Sequence, residues 1–133
     1  MKNVQKLLIE NKRTKNPVLD LYGCGLTKLP DQLVEFTWLT HLYCTCNQIT
    51  DLKPIANLVN LEVLDCDCNQ ITDLAPIAKL INLTVLYFSN NKIADLTPIA
   101  NLVNLTDMYF HNNKIVDRGI MKTLPKLKCL YFI

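Results

Sequence analysis

Glycine is scarce in this chain, whose 133 residues include only Gly23, Gly25 and Gly119. A phosphate-binding loop needs closely spaced glycines ahead of a helix, so the spacing excludes a nucleotide site of that kind. Histidine is scarcer still, and His41 and His111 lie about three repeats apart, with no serine, cysteine or carboxylate in a recognisable catalytic motif beside either. The sequence therefore predicts that the protein is not an enzyme, and it predicts no cofactor.

Long apolar runs are also missing. No segment reaches the roughly 18 apolar residues that a membrane-spanning helix needs. At the amino end, only Leu7, Leu8 and Ile9 precede Glu10, which is too short an apolar block for the core of a signal peptide. We therefore expect a cytoplasmic protein with no membrane partner; a secreted or cell-surface location would follow if a signal peptide preceded this sequence.

Charge of one sign does not dominate, since the net charge is +2. This balance gives no reason to expect nucleic acid as a partner. The distribution is uneven: residues 39–113 carry three Lys or Arg and seven Asp or Glu, whereas residues 114–133 carry five and one. The acidic middle indicates either ordinary solvated faces or a surface that attracts a basic partner.

What the chain does contain is a repeat of 22 residues. Several residue types recur at that spacing, which is typical of stacked-repeat architectures. The aligned columns are Leu39, Leu61, Leu83, Leu105 and Leu127; Asn47, Asn69, Asn91 and Asn113; and Ile49, Ile71, Ile93 and Ile115.

The period divides the chain into segments of a single domain, residues 1–133. Residues 1–15 carry Val4, Leu7 and Leu8 on one helical face after Asn3, a residue that commonly caps helices, so we expect a capping helix. Residues 16–38 form a degenerate first repeat with Cys24 in the asparagine column. The remaining segments are the repeats 39–60, 61–82, 83–104 and 105–126 and a terminal strand, 127–133.

Each repeat predicts one strand and one short helical turn. The segment that begins at the leucine column alternates apolar and mixed residues, which is typical of a strand. Pro54, Pro76 and Pro98 follow on the back of the repeat, and proline suits the first turn of a helix. We expect Thr97 to cap its turn well and Lys53 and Ala75 to cap theirs poorly. The predicted fold is an α/β solenoid: a curved parallel sheet of about six strands on the concave side and short 3-10 or helical turns on the convex side.

Two polar columns accompany the apolar ones. The asparagine column is predicted to be a structural ladder whose amides satisfy backbone groups of the turn and of the next repeat. The second column lies just past the isoleucines, and its spacing lacks the alternating oxygen ligands of a calcium loop, so it is interpreted as loop hydrogen bonding. Its members are Asp51, Asp73, Asp95 and Asp117.

The columns resemble those of leucine-rich repeat proteins over about residues 16–133. The 22-residue pattern is similar to that of a eukaryotic phosphatase-regulatory subunit. The segments QITDLAPIAKLINLTVL and KIADLTPIANLVNLTDM resemble the repeats of bacterial internalins more specifically. Internalins are secreted proteins that bind host receptors with their concave face, so the resemblance implies a protein-binding scaffold. This chain departs from that pattern in its cysteine-rich strands and in lacking the internalins' dedicated cap and following immunoglobulin-like region.

The third, fifth and seventh residues of each repeat are expected to face the concave side. All five tyrosines occupy this set, and tyrosine is enriched at interface cores because it combines a large apolar body with a polar tip. Tyrosine also favours strands for reasons unrelated to binding. The candidate partner-binding residues are Tyr43, Tyr87, Tyr109, Tyr131, Asp65, Asp67, His41, Asp107 and His111. The carboxylates favour a basic or amide-rich protein or peptide.

Four of the six cysteines form two Cys-x-Cys pairs in neighbouring repeats. Cys44 and Cys66 are expected to point into the core as small hydrophobes. Cys46 and Cys68 lie at the start of the turn, and three interpretations stay open for them: near-core packing, a disulfide between them, or thiolate ligands of a metal. Packing is the preferred interpretation, and no metal is expected.

Two functions remain open from the sequence. The first is a protein-interaction scaffold that binds on the concave face. The second is a structural or accessory repeat unit, either part of a larger protein or a homodimer formed through the C-terminal edge strand that contains Phe132 and Ile133.

Overall fold

Six parallel strands form one sheet in sequence order, as the repeat predicts. The computed structural model describes the backbone of residues 2–131 and the side chains of residues 2–128. Phe132 and Ile133, on which the expected homodimer edge depends, lie outside the described residues. The strands are β1 (Val18–Asp20), β2 (His41–Tyr43), β3 (Val63–Asp65), β4 (Val85–Tyr87), β5 (Asp107–Tyr109) and β6 (Cys129–Tyr131).

Equivalent residues of neighbouring repeats pair directly across the sheet. His41 aligns with Val63 and Val63 with Val85, so the register advances by one repeat at each strand. The first step is one residue longer, since Val18 aligns with His41. That extra residue accounts for the longer spacing from Cys24 to Asn47.

A capping helix, α1 (Val4–Thr14), precedes the sheet. Asn3 is its N-cap, and Asn3 Oδ1 accepts a hydrogen bond from the Lys6 amide at 3.1 Å. Leu8 is buried, and Val4 and Leu7 pack against the core. The helix therefore covers the apolar end of the solenoid, as predicted.

Asn11 continues the apolar stripe of this helix with a polar side chain, a feature that the sequence analysis missed. It is buried, and its amide nitrogen donates to the carbonyls of Asn16 at 3.1 Å and Val18 at 3.0 Å. Its amide oxygen accepts from Trp38 Nε1 at 2.8 Å. One side chain thus ties the helix to the first strand and to the end of the first repeat.

Short 3-10 turns form the back of the repeats, in agreement with the prediction. Their bounds are Asp31–Glu35, Lys53–Ile55, Ala75–Ile77, Thr97–Ile99 and Gly119–Thr123. Ile55, Ile77 and Ile99 point inward and are fully buried, so each turn closes the core opposite its strand.

The expectation that Thr97 caps its turn was wrong. Thr97 is the first residue of the turn, and the capping residue Leu96 makes no side-chain cap. The aspartate column performs this role instead, because a carboxylate can accept a hydrogen bond from the free backbone amide two residues after it, at the first residue of the turn. The amides of Lys53, Ala75, Thr97 and Gly119 donate to Asp51, Asp73, Asp95 and Asp117 at 2.8–2.9 Å.

One hydrophobic core runs through the stacked repeats. The leucine and isoleucine columns are fully buried in the regular repeats, as are Leu42, Leu64 and Leu86 at the centres of their strands. Met121 and Leu124 continue the core where the back pattern changes. Among residues 2–131, no helix combines the length and apolarity needed to cross a membrane.

Candidate functional site

Three rows of side chains cross the concave face. The first row contains His41, Val63, Val85 and Asp107; the second contains Asp20, Tyr43, Asp65, Tyr87 and Tyr109; and the third contains Thr45, Asp67, Ser89 and His111. The backbone of Tyr131 continues the second row, but its side chain lies outside the described part. From His41 onward the rows are half-buried, except for Ser89, which is buried.

Tyr87 and Tyr109 form an aromatic stack at the centre of the second row. Their ring centroids lie 4.4 Å apart, and the ring planes differ by 11°. Burial and then the nearby carboxylates of Asp65, Asp107 and Asp67 raise the pKa of Tyr87, so its hydroxyl stays protonated at neutral pH. The stack presents a flat, rigid aromatic surface with polar tips beside three carboxylates.

Asp65 and Asp67 place two carboxyl groups next to this stack. Asp65 Oδ1 accepts from the Asp67 amide at 3.1 Å, and Asp67 Oδ1 accepts from the Ser89 amide at 2.6 Å. Burial and, second, the charge of Asp65 raise the pKa of Asp67 to about 6, although the hydrogen bond from Ser89 and the charge of His111 oppose this. A half-buried carboxyl with a raised pKa often marks a functional site.

Ser89 and His111 form a contact that the sequence analysis did not anticipate. Ser89 Oγ lies 3.1 Å from His111 Nδ1. The backbone amide of the same serine donates to the Asp67 carboxyl. Ser89 does lie beside His111, although the two residues are 22 positions apart in the sequence. The repeat could have indicated this contact, because Ser89 and His111 are equivalent residues of consecutive repeats. Such residues lie at the spacing of parallel strands, about 4.8 Å.

This cluster is not a hydrolytic triad. Catalysis of that type needs a carboxylate to orient the imidazole while the other ring nitrogen faces the nucleophile. Here Nδ1 of His111 faces the serine, and Asp67 Oδ1 holds the Ser89 amide. The contacts fix the third row in place. The other histidine, His41, has its Nδ1 2.9 Å from Thr40 Oγ1 and its ring 6.5 Å from that of Tyr43.

We expect Asp67→Asn to make the protein more stable at pH 7.5. The Asp67 carboxyl, with its raised pKa, binds its proton more tightly in the folded state than in the unfolded state. The free energy of unfolding therefore falls as pH rises from about 4, where the unfolded carboxyl ionises, to about 6, where the folded one does. Asparagine removes the charge and keeps an oxygen for the Ser89 amide. Urea unfolding should show a gain at pH 7.5 that shrinks towards zero near pH ~4. The exposed Asp31→Asn should show no such gain, and an Asp67→Asn variant that matched wild type at pH 7.5 would contradict the argument.

The asparagine column supports the concave strands from behind. Asn69 Oδ1 accepts from the Ile49 amide at 3.0 Å, and its Nδ2 donates to the carbonyls of Cys44 and Cys66, each at 3.0 Å. Asn47, Asn91 and Asn113 make the equivalent contacts in their repeats. Each amide thus links two neighbouring repeats at the point where the strand becomes a turn.

The cysteines divide into two environments. Cys44 and Cys66 are fully buried, and burial raises the pKa of Cys44 to about 12 and that of Cys66 well above its ordinary value. Cys46 is exposed, Cys68 is half-buried, and both have positive φ angles. Of the side chains that the structure describes, no three His, Cys, Asp or Glu lie together in a way that could hold a metal.

Comparison with known proteins gives consistent matches to one architecture. A family model described as leucine-rich repeats in two copies matches residues 37–79, 59–102 and 81–118. The crystal structure of internalin C2 from Listeria monocytogenes is 35% identical, with a TM-score of 0.84 over 87% of this chain and 51% of that one. Internalin F from the same species is 39% identical, with a TM-score of 0.74 over 79% of this chain and 31% of that one.

A leucine-rich repeat protein from Leptospira interrogans is similar as well. It is 31% identical, with a TM-score of 0.72 over 81% of this chain and 29% of that one. The chain thus spans about half the length of internalin C2 and less than a third of the other two. Comparison with curated protein sequences finds no match.

Proposed function

Because the chain belongs to the leucine-rich repeat family, we propose that it is a protein-interaction scaffold that binds a protein or peptide on its concave face. Proteins of this family commonly mediate protein–protein interactions. The observation that carries the proposal is the Tyr87–Tyr109 stack beside the carboxylates of Asp65 and Asp107. Rigid tyrosines surrounded by polar groups are typical of the residues that dominate binding energy.

The order of the second row favours a basic partner. Asp65 aligns with Tyr43 on one side and with Tyr87 on the other, so a carboxylate lies between two aromatic side chains. A lysine or arginine side chain placed there would meet a carboxylate and aromatic rings together, and both attract a cation. Amide-rich segments could bond to the same carboxylates.

The proposed binding surface contains the nine residues named from the sequence. They are His41, Tyr43, Asp65, Asp67, Tyr87, Asp107, Tyr109, His111 and Tyr131. His111 contributes through the third row, where its ring is held by Ser89. The acidic character of this surface disfavours nucleic acid, whose phosphates it would repel.

We further propose that the protein is not an enzyme and that residues 1–133 form one domain. His111 Nδ1 faces Ser89 and Asp67 Oδ1 accepts from the Ser89 amide, so these three residues are not arranged as a Ser-His-Asp triad. The continuous core from Leu8 to Leu124 supports a single unit. We also propose a cytoplasmic location, a reducing compartment in which cysteine thiols usually stay free unless they are oxidised.

Replacing Tyr87 and Tyr109 together with alanine is expected to abolish partner capture. Two central tyrosines are worth about 2 kcal/mol each, so affinity should fall by roughly 700-fold if the two losses add. The measurement is a pull-down from lysate of the source organism, with wild type and Tyr87→Ala/Tyr109→Ala in parallel, followed by titration of the captured partner. The partner should also be released by added salt if it is basic.

A matched control tests whether the loss is specific to the concave face. Val59 and Val103 are exposed hydrophobic residues of the repeats, 48% and 46% accessible, and lie outside the three rows. Val59→Ala/Val103→Ala should retain the partner. Equal capture by wild type and the tyrosine variant would refute the concave site, and a homodimer in place of a captured partner would favour the structural alternative.

A further inference from the structure

Cys46 and Cys68 occupy equivalent positions in a column where the backbone adopts an unusual conformation. From the first repeat onward the column contains Gly23, Cys46, Cys68, Asn90 and Asn112, and their φ angles lie between 56° and 60°. Glycine and asparagine are the residues that tolerate this left-handed conformation best. Cysteine has no such preference, so the two cysteines are held there at some conformational cost.

The column brings neighbouring side chains into contact. Asn112 Nδ2 donates to Asn90 Oδ1 at 2.6 Å, and Asn90 Nδ2 lies 3.7 Å from Cys68 Sγ. Burial, and then the neighbouring Cys46 thiol, raise the pKa of Cys68, so these two side chains are also close together. The same turn geometry therefore places each side chain of the column against the next one.

The backbone spacing also suits a covalent bond between the two sulfurs. The Cys46 amide donates to the Asp67 carbonyl at 3.0 Å and the Cys68 amide to the Ser89 carbonyl at 2.9 Å, so the ladder of the sheet extends to these residues. Neighbouring parallel strands lie about 4.8 Å apart, and disulfides join residues whose Cα atoms are about 4.4–6.8 Å apart.

Accessibility separates this pair from the other cysteines that the structure describes. Cys24, Cys44 and Cys66 are buried, whereas Cys46 is exposed and Cys68 half-buried. Oxidants reach exposed thiols first, and burial keeps a thiol in its unreactive protonated form. Cys46 is the more exposed of the two, so it is the better placed to react first.

We propose that Cys46 and Cys68 form a dithiol modification site, which a small-molecule disulfide such as oxidised glutathione converts to an intramolecular bridge. The Cys46 thiolate attacks one sulfur of the small disulfide, whose S–S bond breaks and releases one small thiolate, which takes up a proton. The Cys68 thiolate then attacks the Cys46 sulfur and releases the second small thiolate, which is protonated in turn. The two cysteines lose two electrons and two protons, and the small disulfide is reduced to two thiols.

The bridge joins two consecutive turns directly beside the third row of the concave face. Cys46 follows Thr45, and Cys68 follows Asp67. Closing a loop of one repeat restricts the unfolded chain, so the bridged protein should unfold roughly 5 °C or more above the reduced protein. This site does not depend on the proposed partner, because its evidence lies in the turns.

The test is oxidation of the folded protein in a glutathione redox buffer, followed by alkylation and mass measurement. A Cys129→Ser background removes the cysteine whose side chain the structure does not describe. The expected product has lost two hydrogen atoms, carries no glutathione, leaves Cys46 and Cys68 unalkylated and reverts with a dithiol reductant. Cys46→Ser and Cys68→Ser, each checked for native circular dichroism, should fail to lose the two hydrogens.

The same column provides a matched positive control. In a Cys46→Ser/Cys68→Ser background, Asn90→Cys/Asn112→Cys places two thiols at the next pair of equivalent positions, and it should also form a bridge. A wild-type protein that carries glutathione on Cys46, or that keeps both thiols alkylatable under conditions in which this control pair closes, would overturn the proposal.

Discussion

Asn69→Ala is expected to lower the free energy of unfolding by about 2–3 kcal/mol, one of the largest effects of a single polar substitution in this protein. Asn69 is only 4% exposed, and its amide group satisfies the Ile49 amide and the Cys44, Cys66 and Asp67 carbonyls. Alanine leaves these backbone groups without that partner where water does not replace it. The three carbonyls keep a second donor, since Asn47 bonds Cys44, Asn91 bonds Cys66 and the Cys46 amide bonds Asp67. The Ile49 amide is left unpaired, which costs about 1–3 kcal/mol, and the lost bonds to the carbonyls add to this.

Urea unfolding followed by circular dichroism measures the loss. Gln70→Ala is the matched control, because Gln70 is the next residue and its side chain is exposed, so it should change stability by less than about 0.5 kcal/mol. Asn113→Ala should fall between the two, since Asn113 is half-buried. An Asn69→Ala variant as stable as Gln70→Ala would show that the column does not hold neighbouring repeats together.

The fold could be predicted from the sequence because a repeat specifies the same environment several times. A single leucine such as Leu61 says little, but its recurrence every 22 residues fixes the period, the strand and the inward face together. In the observed register, His41 aligns with Val63 and Val63 with Val85, so paired residues of neighbouring strands are 22 positions apart, as the sequence period predicts.

The contacts that break the repeat could not be predicted in the same way. Asn11 lies outside the repeat, and only its position on the apolar face of α1 indicated that it is buried and bonded to Trp38. Ser89 and His111 share a row, but their 3.1 Å contact depends on side-chain rotamers, which the sequence pattern does not specify. The aspartate column was correctly interpreted as loop hydrogen bonding, yet its role as the cap of the 3-10 turns needed the backbone geometry.

Two adjacent residues, Tyr87 and Phe88, should give opposite results when each is changed to alanine. Phe88 is fully buried, and its ring centroid lies 6.3 Å from that of Phe110. Phe88→Ala should cost about 3–5 kcal/mol, because it removes apolar contacts and leaves a cavity that the stacked repeats fill only in part. Tyr87 is the last residue of β4 and projects to the face opposite that of Phe88, which follows it. Tyr87→Ala should therefore cost only about 1 kcal/mol, chiefly the stack with Tyr109.

Comparing the stabilities of these two variants shows whether a loss of partner binding comes from lost contacts or from lost folding. If thermal unfolding shows Tyr87→Ala close to wild type and Phe88→Ala strongly destabilised, then a tyrosine variant that loses its partner has lost contacts and not its fold. If Tyr87→Ala is destabilised as much as Phe88→Ala, the tyrosine stack is part of the scaffold, and the concave-face proposal loses its main support. The comparison is informative because a strand alternates its side chains between two faces, so neighbours of similar size differ only in the side they occupy.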